Sequence, residues 1–214
     1  MYIFAGRFKG RRLFFPPLPV TSGAVRRKPG GRTLRPTTGL VRRALFDILA
    51  PIISDSSFLD LYAGTGAIGL EAVSRGAGKV ILVESNPKTA LYLKQNLELI
   101  TAAAKKEGDE IAEEDLIFYP YLAEKAISIL AEKKAGFDVV FADPPYEFSA
   151  QKMVELIAQI SEGGILRPEG RIILQHISGL EKNLLFKEGI AVLSLAVETR
   201  RYGYTSLSFF YPSF

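Results

Sequence analysis

From Ser57 to His176 apolar runs alternate with amphipathic ones, and that alternation limits the possible folds more than any other feature of the chain. "SFLDLY" is followed by "IGLEAVSRG", "KVILVE" by "NPKTALYLKQNLELI", "LIFY" by "YLAEKAISILAEK", and "FDVVFA" by "AQKMVELIAQI" and then "GRIILQHI". Near-continuous Val, Ile and Leu in the strand-like runs requires burial on both strand faces, which a parallel sheet covered by helices on each side supplies. The last two strand-like runs, "IAVLSLAVET" and "GYTSLSFFYP", are separated only by "RRY" and are expected to pair as an antiparallel hairpin. The fold class that follows is α/β and Rossmann-like, a mostly parallel seven-stranded sheet with an antiparallel C-terminal hairpin.

The first residues follow a different pattern. "YIFAG" and "RLFF" are short β-type runs around "RFKGR", a hairpin with Gly10 near its turn. "PPLPVTSGAVRRKPGGR" reads as a loop, and "RPTTGLVRRALFDILAP" as a helix capped by Thr37 or Thr38 and ending before Pro51. Of the 27 basic residues, eleven precede Asp47, the first acid, which leaves 16 basic against 23 acidic residues in the remainder. A basic arm joined to an acidic body suits contact with a polyanion, because Lys and Arg neutralise phosphates and release their counterions. A solvated tail is the competing reading of such a run. The expected division is an arm over residues 1–36 and a globular domain over 37–214, a length able to bury one full core.

No apolar run reaches the roughly 18 residues of a membrane span, and the N-terminus lacks the continuous apolar segment of a signal peptide. Without cysteine there are no disulfides, thiolate metal sites or cysteine nucleophiles. The expectation is a cytoplasmic protein with no membrane association and no metal.

"LDLYAGTGAIGLEA" carries Gly64, Gly66 and Gly69 in G-x-G-x-x-G spacing between a strand and a helix, with Glu84 closing the next strand. That spacing alone fits a dinucleotide site. Asp60 at the preceding strand end would repel a pyrophosphate, whereas the ammonium and sulfonium of S-adenosylmethionine are cations that an acid attracts. Glu84 has two oxygens with which to accept both ribose hydroxyls, and glycines allow close backbone approach. The candidate cofactor set is Asp60, Tyr62, Gly64, Thr65, Gly66, Glu84 and Ser85. A tight turn by itself would explain one or two of the glycines, but not the flanking acids.

"FADPPYEF" places Asp143, Pro144, Pro145 and Tyr146 at the end of the fourth strand, where open α/β sheets gather ligands. The two prolines fix successive φ angles and hold Asp143 extended. The Asp143 carboxylate and the Pro144 carbonyl are then two acceptors able to bind both N–H groups of an exocyclic base amine and turn its lone pair toward a methyl donor. Tyr146 offers a ring on which an extracted base can stack. Positioning supplies most of the rate, since the nitrogen becomes acidic as it is alkylated. A rigid turn with a capping acid is the plain alternative for any isolated copy of these four residues.

With these residues in place the sequence resembles the RsmD family of class I S-adenosylmethionine-dependent methyltransferases, which methylate N2 of a guanine in 16S ribosomal RNA. The likeness runs almost end to end, through "AGRFKGRRL", "RPTTGLVRRALFDIL", "LDLYAGTGAIGLEAVSRGA", "VESNPKTALYLKQNL", "DVVFADPPYE" and "LRPEGRIILQH". The D-P-P-Y step is shared with other amino-methyltransferases; the R-P-T-T start and the A-G-x-x-K-G-R hairpin single out this family. The resemblance implies that Asp60, Gly64, Gly66 and Glu84 hold the cofactor, that Asp143, Pro144 and Tyr146 engage the guanine, and that Arg35 to Thr38 closes over them. Ribosomal RNA, within a small-subunit assembly intermediate, is the partner it implies, for a monomeric enzyme. Arg7, Lys9, Arg11, Arg12, Arg35, Thr37, Thr38 and Arg42 are the candidate RNA contacts. Two departures stand out: "FYPYLAEKA" where relatives carry an acid or amide near the adenine, with Tyr121 or backbone amides in its place, and Arg43 in place of a common acid.

Other readings of the same residues are a DNA adenine or cytosine methyltransferase, a protein glutamine methyltransferase, and a non-catalytic RNA-binding assembly factor. Asp at 143 instead of Asn and the basic arm disfavour the second, and an intact D-P-P-Y disfavours the third. His176 is expected to be structural and not a general base. Arg200, Arg201, Tyr202 and Tyr204 form either an RNA contact or a solvated turn. Leu91, Leu93, Leu97 and Ile100 are expected in the helix core.

Overall fold

The computed structural model describes residues 1–17, 39–145 and 147–212. Helix α1 (Gly39–Leu49) leads into β1 (Ser57–Asp60), α2 (Ala67–Ser74), β2 (Lys79–Val83), α3 (Pro87–Lys106) and β3 (Leu116–Tyr119). There follow α4 (Ala123–Glu132), β4 (Phe137–Ala142), α5 (Ala150–Glu162), β5 (Leu166–Ile177), α6 (Leu184–Val192), β6 (Leu195–Tyr202) and β7 (Thr205–Pro212). The seven strands are ordered β3-β2-β1-β4-β5-β7-β6. Strands β1 to β5 pair in parallel, and β7 runs antiparallel to both β5 and β6.

Alternate residues of the central strands enter different cores, which is why the strands read as continuous apolar runs. Phe58, Val80, Val139, Phe141 and Ile173 pack with α1, α2 and α3, while Leu59, Ile81, Val140 and Ile172 pack with α4, α5 and α6. The chain travels outward from β1 to β3 and then returns to build β4 and β5 on the other side. The carboxyl ends of β1 and β4 therefore border the switch point, where such sheets open a ligand crevice.

The N-terminal hairpin forms, but with a single antiparallel bridge, Tyr2 to Arg12, and no regular strands. Gly6 and Gly10 both adopt left-handed φ, +78° and +82°. Gly10 occupies the turn, as its sequence position suggested. At Gly6 a Cβ would lie 1.7 Å from the Ser74 carbonyl oxygen, so glycine there lets the arm seat on the end of α2. Ile3, Phe8 and Leu13 form a third core with Leu70, Ile100 and Ala104. Burial of each contributes roughly 1.5–3 kcal/mol, enough to fix the hairpin to the body.

Two elements differ from the sequence reading. Ile190–Val192, expected at the start of a strand, end helix α6, because Phe186 and Ile190 lie one turn apart and bury together against the sheet; β6 begins at Leu195. Leu91 is 62% exposed, whereas Leu93 and Ile100 are buried together with Asn96. The apolar face of α3 thus runs through a polar residue.

Candidate active site

Asp60 ends β1 with its side chain 1% exposed. Its Oδ2 accepts a hydrogen bond of 3.1 Å from the Gly69 amide, and its Oδ1 is buried with no partner among the described residues. Burial pushes its pKa up to about 8; the Gly69 amide and, more weakly, the Tyr62 amide oppose this, and the charges of Asp143 and Glu84 add to it. Three carboxylates from three strand ends thus converge on one crevice. Such a cluster is costly unless a cation shares the space.

The glycine loop follows. Gly64 has φ +57° and nothing within 4 Å of where a Cβ would stand, so the space above it is open to a ligand. Gly66 and Gly69 have another reason to be glycine: a Cβ would meet Leu93 at 2.5 Å or Leu82 at 2.7 Å. Their missing side chains serve the packing of α2 on the sheet and not the approach of a ligand. Thr65 is half-buried, and its carbonyl accepts from Asn96 Nδ2 at 2.8 Å.

Glu84, at the end of β2, accepts from the Gly64 amide at 2.9 Å and from the Asn86 amide at 2.6 Å. Burial raises its pKa against these bonds. One carboxylate therefore shapes both the loop and the entry to α3, and with about four lone-pair directions it still has capacity for ribose hydroxyls. Ser85 is exposed beside it. Tyr62 packs edge-on against Phe148, with ring centroids 6.0 Å apart; burial raises its pKa, and its hydroxyl has no partner among the described residues. Tyr121 lies past β3 against Tyr119 and under the Lys125 ammonium, 4.5 Å from its ring.

After β4, Asp143 is half-buried, Pro144 buried and Pro145 exposed. The Pro145 carbonyl accepts from the Phe148 amide at 2.9 Å, which closes the turn. Asp143 Oδ2 accepts from Gln175 Nε2 at 2.9 Å. Tyr146 lies outside the described residues, as do Arg35, Thr37 and Thr38.

The basic arm is more internal than its composition suggested. Arg42, expected to touch RNA, is 2% exposed: its guanidinium donates to the Tyr2 and Ala67 carbonyls and lies 4.0 Å over the Phe4 ring. Burial lowers its pKa, partly offset by Glu71. It clamps the hairpin to α1 and cannot reach a ligand in solution. Arg7 pairs with Glu107 and Asp109, and Arg11 with Glu107 at 2.8 Å. Lys9 and Arg12 are exposed.

His176 is buried, with Nε2 2.7 Å from Ser208 Oγ and Nδ1 2.9 Å from the Ile177 carbonyl. Desolvation lowers its pKa, and it sits on the face of β5 opposite Gln175, among the residues of α6. Its role is structural. Arg200, Arg201 and Tyr202, expected in the C-terminal turn, lie instead within β6, where Arg200 pairs with Glu198; Tyr204 is in the turn and 81% exposed.

Three residues not singled out in the sequence complete the arrangement. Fully buried Glu71 accepts from the Phe4 and Ala5 amides and from Arg75 Nε at 2.8, 3.1 and 2.8 Å. Asn96 accepts from the Phe14 amide at 2.7 Å and donates to the Phe14 and Thr65 carbonyls, so one side chain joins the arm to the glycine loop. Gln175 reaches Asp143. The available signal was a polar residue inside an apolar period: Glu71 in "AIGLEAV", Asn96 between Leu93 and Ile100, Gln175 in "RIILQHI".

A family model described as conserved hypothetical protein 95 matches residues 1–211. Ribosomal RNA small subunit methyltransferase D of Escherichia coli K12 is 34% identical over 173 residues, covering 81% of this chain and 73% of that protein. The protein of the same name from Haemophilus influenzae is 32% identical over 173 residues, covering 81% and 77%. Among solved structures, that of yhhF from Escherichia coli superposes with a TM-score of 0.70 at 28% identity, over 98% of this chain and 96% of that one.

Proposed function

The chain belongs to the RsmD family of class I S-adenosylmethionine-dependent methyltransferases, and on that premise we propose that it methylates the exocyclic N2 of a guanine in 16S ribosomal RNA. The observation that carries this reading is the Asp143–Pro144 step at the end of β4, set beside the buried acid that ends β1.

The chain's residues fit the cofactor. The unpartnered Oδ1 of Asp60 suits a cationic amino-acid end, Glu84 suits ribose hydroxyls, and the space over Gly64 leaves room between them. Tyr62, Thr65, Ser85 and Tyr121 would complete the set that holds the cofactor. When bound, the cofactor supplies a methyl group activated by its positive sulfur. The protein's part is positioning. Asp143 and the Pro144 carbonyl accept the two N–H groups of the guanine amine, which draws its nitrogen out of conjugation with the ring and aims the lone pair. Asp143 takes up the proton that the alkylated nitrogen sheds. Pro144 and Pro145 hold these acceptors rigid, and Tyr146 stacks on the base.

RNA meets the arm (1–36) and the rim of the methyltransferase domain (37–214). Lys9 and Arg12 supply exposed charge, Arg35, Thr37 and Thr38 add further RNA contacts, and Arg7 and Arg11 shape the arm through their acidic partners. We place the enzyme as a monomer acting in the cytoplasm on a small-subunit assembly intermediate; among the described residues no helix is long and apolar enough to cross a membrane.

The test is to map methylated guanines in small-subunit RNA from cells with and without the protein, and with Asp143→Ala supplied in its place. One N2-methylguanine should vanish in the deletion and stay absent with Asp143→Ala, while that variant keeps its affinity for S-adenosylmethionine. An unchanged guanine map, or full methylation by the variant, would overturn the reading.

A further inference from the structure

Gln175 stands on β5 one residue beyond the last registered pair with β4, Ala142 with Leu174, and so lies alongside Asp143. Strand alternation puts both side chains on the face shared by Phe141 and Ile173. Gln175 is 3% exposed, is flanked by the buried Leu174 and His176, shares its strand face with the buried Ile173, and pairs across the sheet with the buried Leu207. A site of that kind is ordinarily filled by an apolar side chain.

Two further features make the glutamine informative. Its Nε2 donates to Asp143 Oδ2 at 2.9 Å. A carboxylate only accepts, so the amide is held with nitrogen toward Asp143 and cannot flip without setting oxygen against oxygen. The cost of that orientation is visible, because Gln175 Oε1 is buried and has no partner among the described residues. Methionine would fill the space without stranding an acceptor, so what glutamine adds is the donated N–H.

We propose that Gln175 is the positioning residue for Asp143: its amide fixes the plane of the carboxylate that receives the substrate amine. The inference rests on the reading that Asp143 engages that amine. A carboxylate on a strand end has two rotatable bonds, and the lone pair of an aromatic amine is exposed only within a narrow range of acceptor directions. A buried amide bond from a central strand limits that freedom. Gln175 itself touches neither base nor cofactor.

The test compares wild type with Gln175→Met, of equal length but without a donor, and Gln175→Leu, of similar volume and likewise without a donor. Each is assayed for methyl transfer to small-subunit RNA prepared from cells lacking the protein. Gln175→Met should lower kcat by about tenfold to a hundredfold, the scale of a small misplacement of a reacting group. KM for RNA and Kd for S-adenosylmethionine should stay within about twofold of wild type, and thermal stability should be kept or raised as the stranded acceptor disappears. Gln175→Leu should lose kcat to a similar extent, since it too removes the donor. A kcat for Gln175→Met near wild type would overturn the inference alone, as would a kcat loss accompanied by equal losses of stability and RNA affinity. No transfer by wild type would remove the function reading, and this inference with it. If Gln175→Met fails to fold, the kcat of Gln175→Leu decides in the same way.

Discussion

Lowering the pH from 7 to 6 is expected to weaken S-adenosylmethionine binding about eightfold, through one residue. Asp60 holds its proton up to a pKa of about 8 because it is buried beside other acids, yet it must be ionised to attract the ammonium of the cofactor. The ionised fraction is about one in eleven at pH 7 and about one in a hundred at pH 6, a ratio of about nine. The ligand's own α-amino group, with a pKa of about 7.7–8.0, offsets this slightly because it becomes more fully charged at pH 6. The net change is about 1.2 kcal/mol. Binding must also expel the proton, about 0.9 per site at pH 7 and nearly one at pH 6, less about 0.1 taken up by the ligand at pH 7. Titration calorimetry in buffers of different ionisation enthalpy reads that proton directly, as the slope of observed heat against buffer enthalpy. Asp60→Asn should abolish the slope. Buffer-independent heats for wild type at pH 6, or the same release from Asp60→Asn, would refute the assignment of the proton to this carboxyl and with it the electrostatic account of the crevice.

Glu71→Ala leaves two backbone amides and the Arg75 guanidinium without their acceptor, a loss of about 3–5 kcal/mol that should lower the thermal midpoint by roughly 6–20 °C. A scanning-calorimetry change under about 2 °C would show that Glu71 does not hold the arm. Lys9→Glu and Arg12→Glu should weaken RNA binding and reduce the slope of log affinity against log salt by about one for each phosphate no longer neutralised, whereas Arg42→Gln should cost stability and leave the slope alone. His176→Gln should keep kcat within about twofold at 25 °C while lowering the midpoint, because it disturbs a buried bond and no chemistry; a loss of a hundredfold would restore the histidine as a base.

The parts of the molecule legible in the sequence are those set by local period and by stereochemistry. "KVILV" and "FDVVFA" became central strands because their apolar positions are buried on one face or the other. The fold boundary that misled, Ile190–Val192, is a short apolar run that suits strand and helix equally; contact of Phe186 and Ile190 with the main core decided it. The acidic stretch after α3 forms no motif in the sequence, yet its Glu107 and Asp109 are the partners of Arg7 and Arg11. Arg42 reads as one more cation in a basic run, and only the hairpin folding over it buries it.

The sequence by itself determined the sheet, its helical covering, the glycine turn and the rigid Asp143–Pro144 step, because each follows from neighbours within a few residues: the spacing of apolar side chains, or a proline's fixed φ. The tertiary structure alone decided which acids face one another, which cations are already neutralised, and that an amide on β5 grips a carboxylate after β4. Those outcomes depend on through-space distance and on exclusion of water, and the groups involved lie as far as 102 positions apart in the chain, from Arg7 to Asp109. A period of two or of 3.6 says which face a residue takes, but not whose charge will be waiting there.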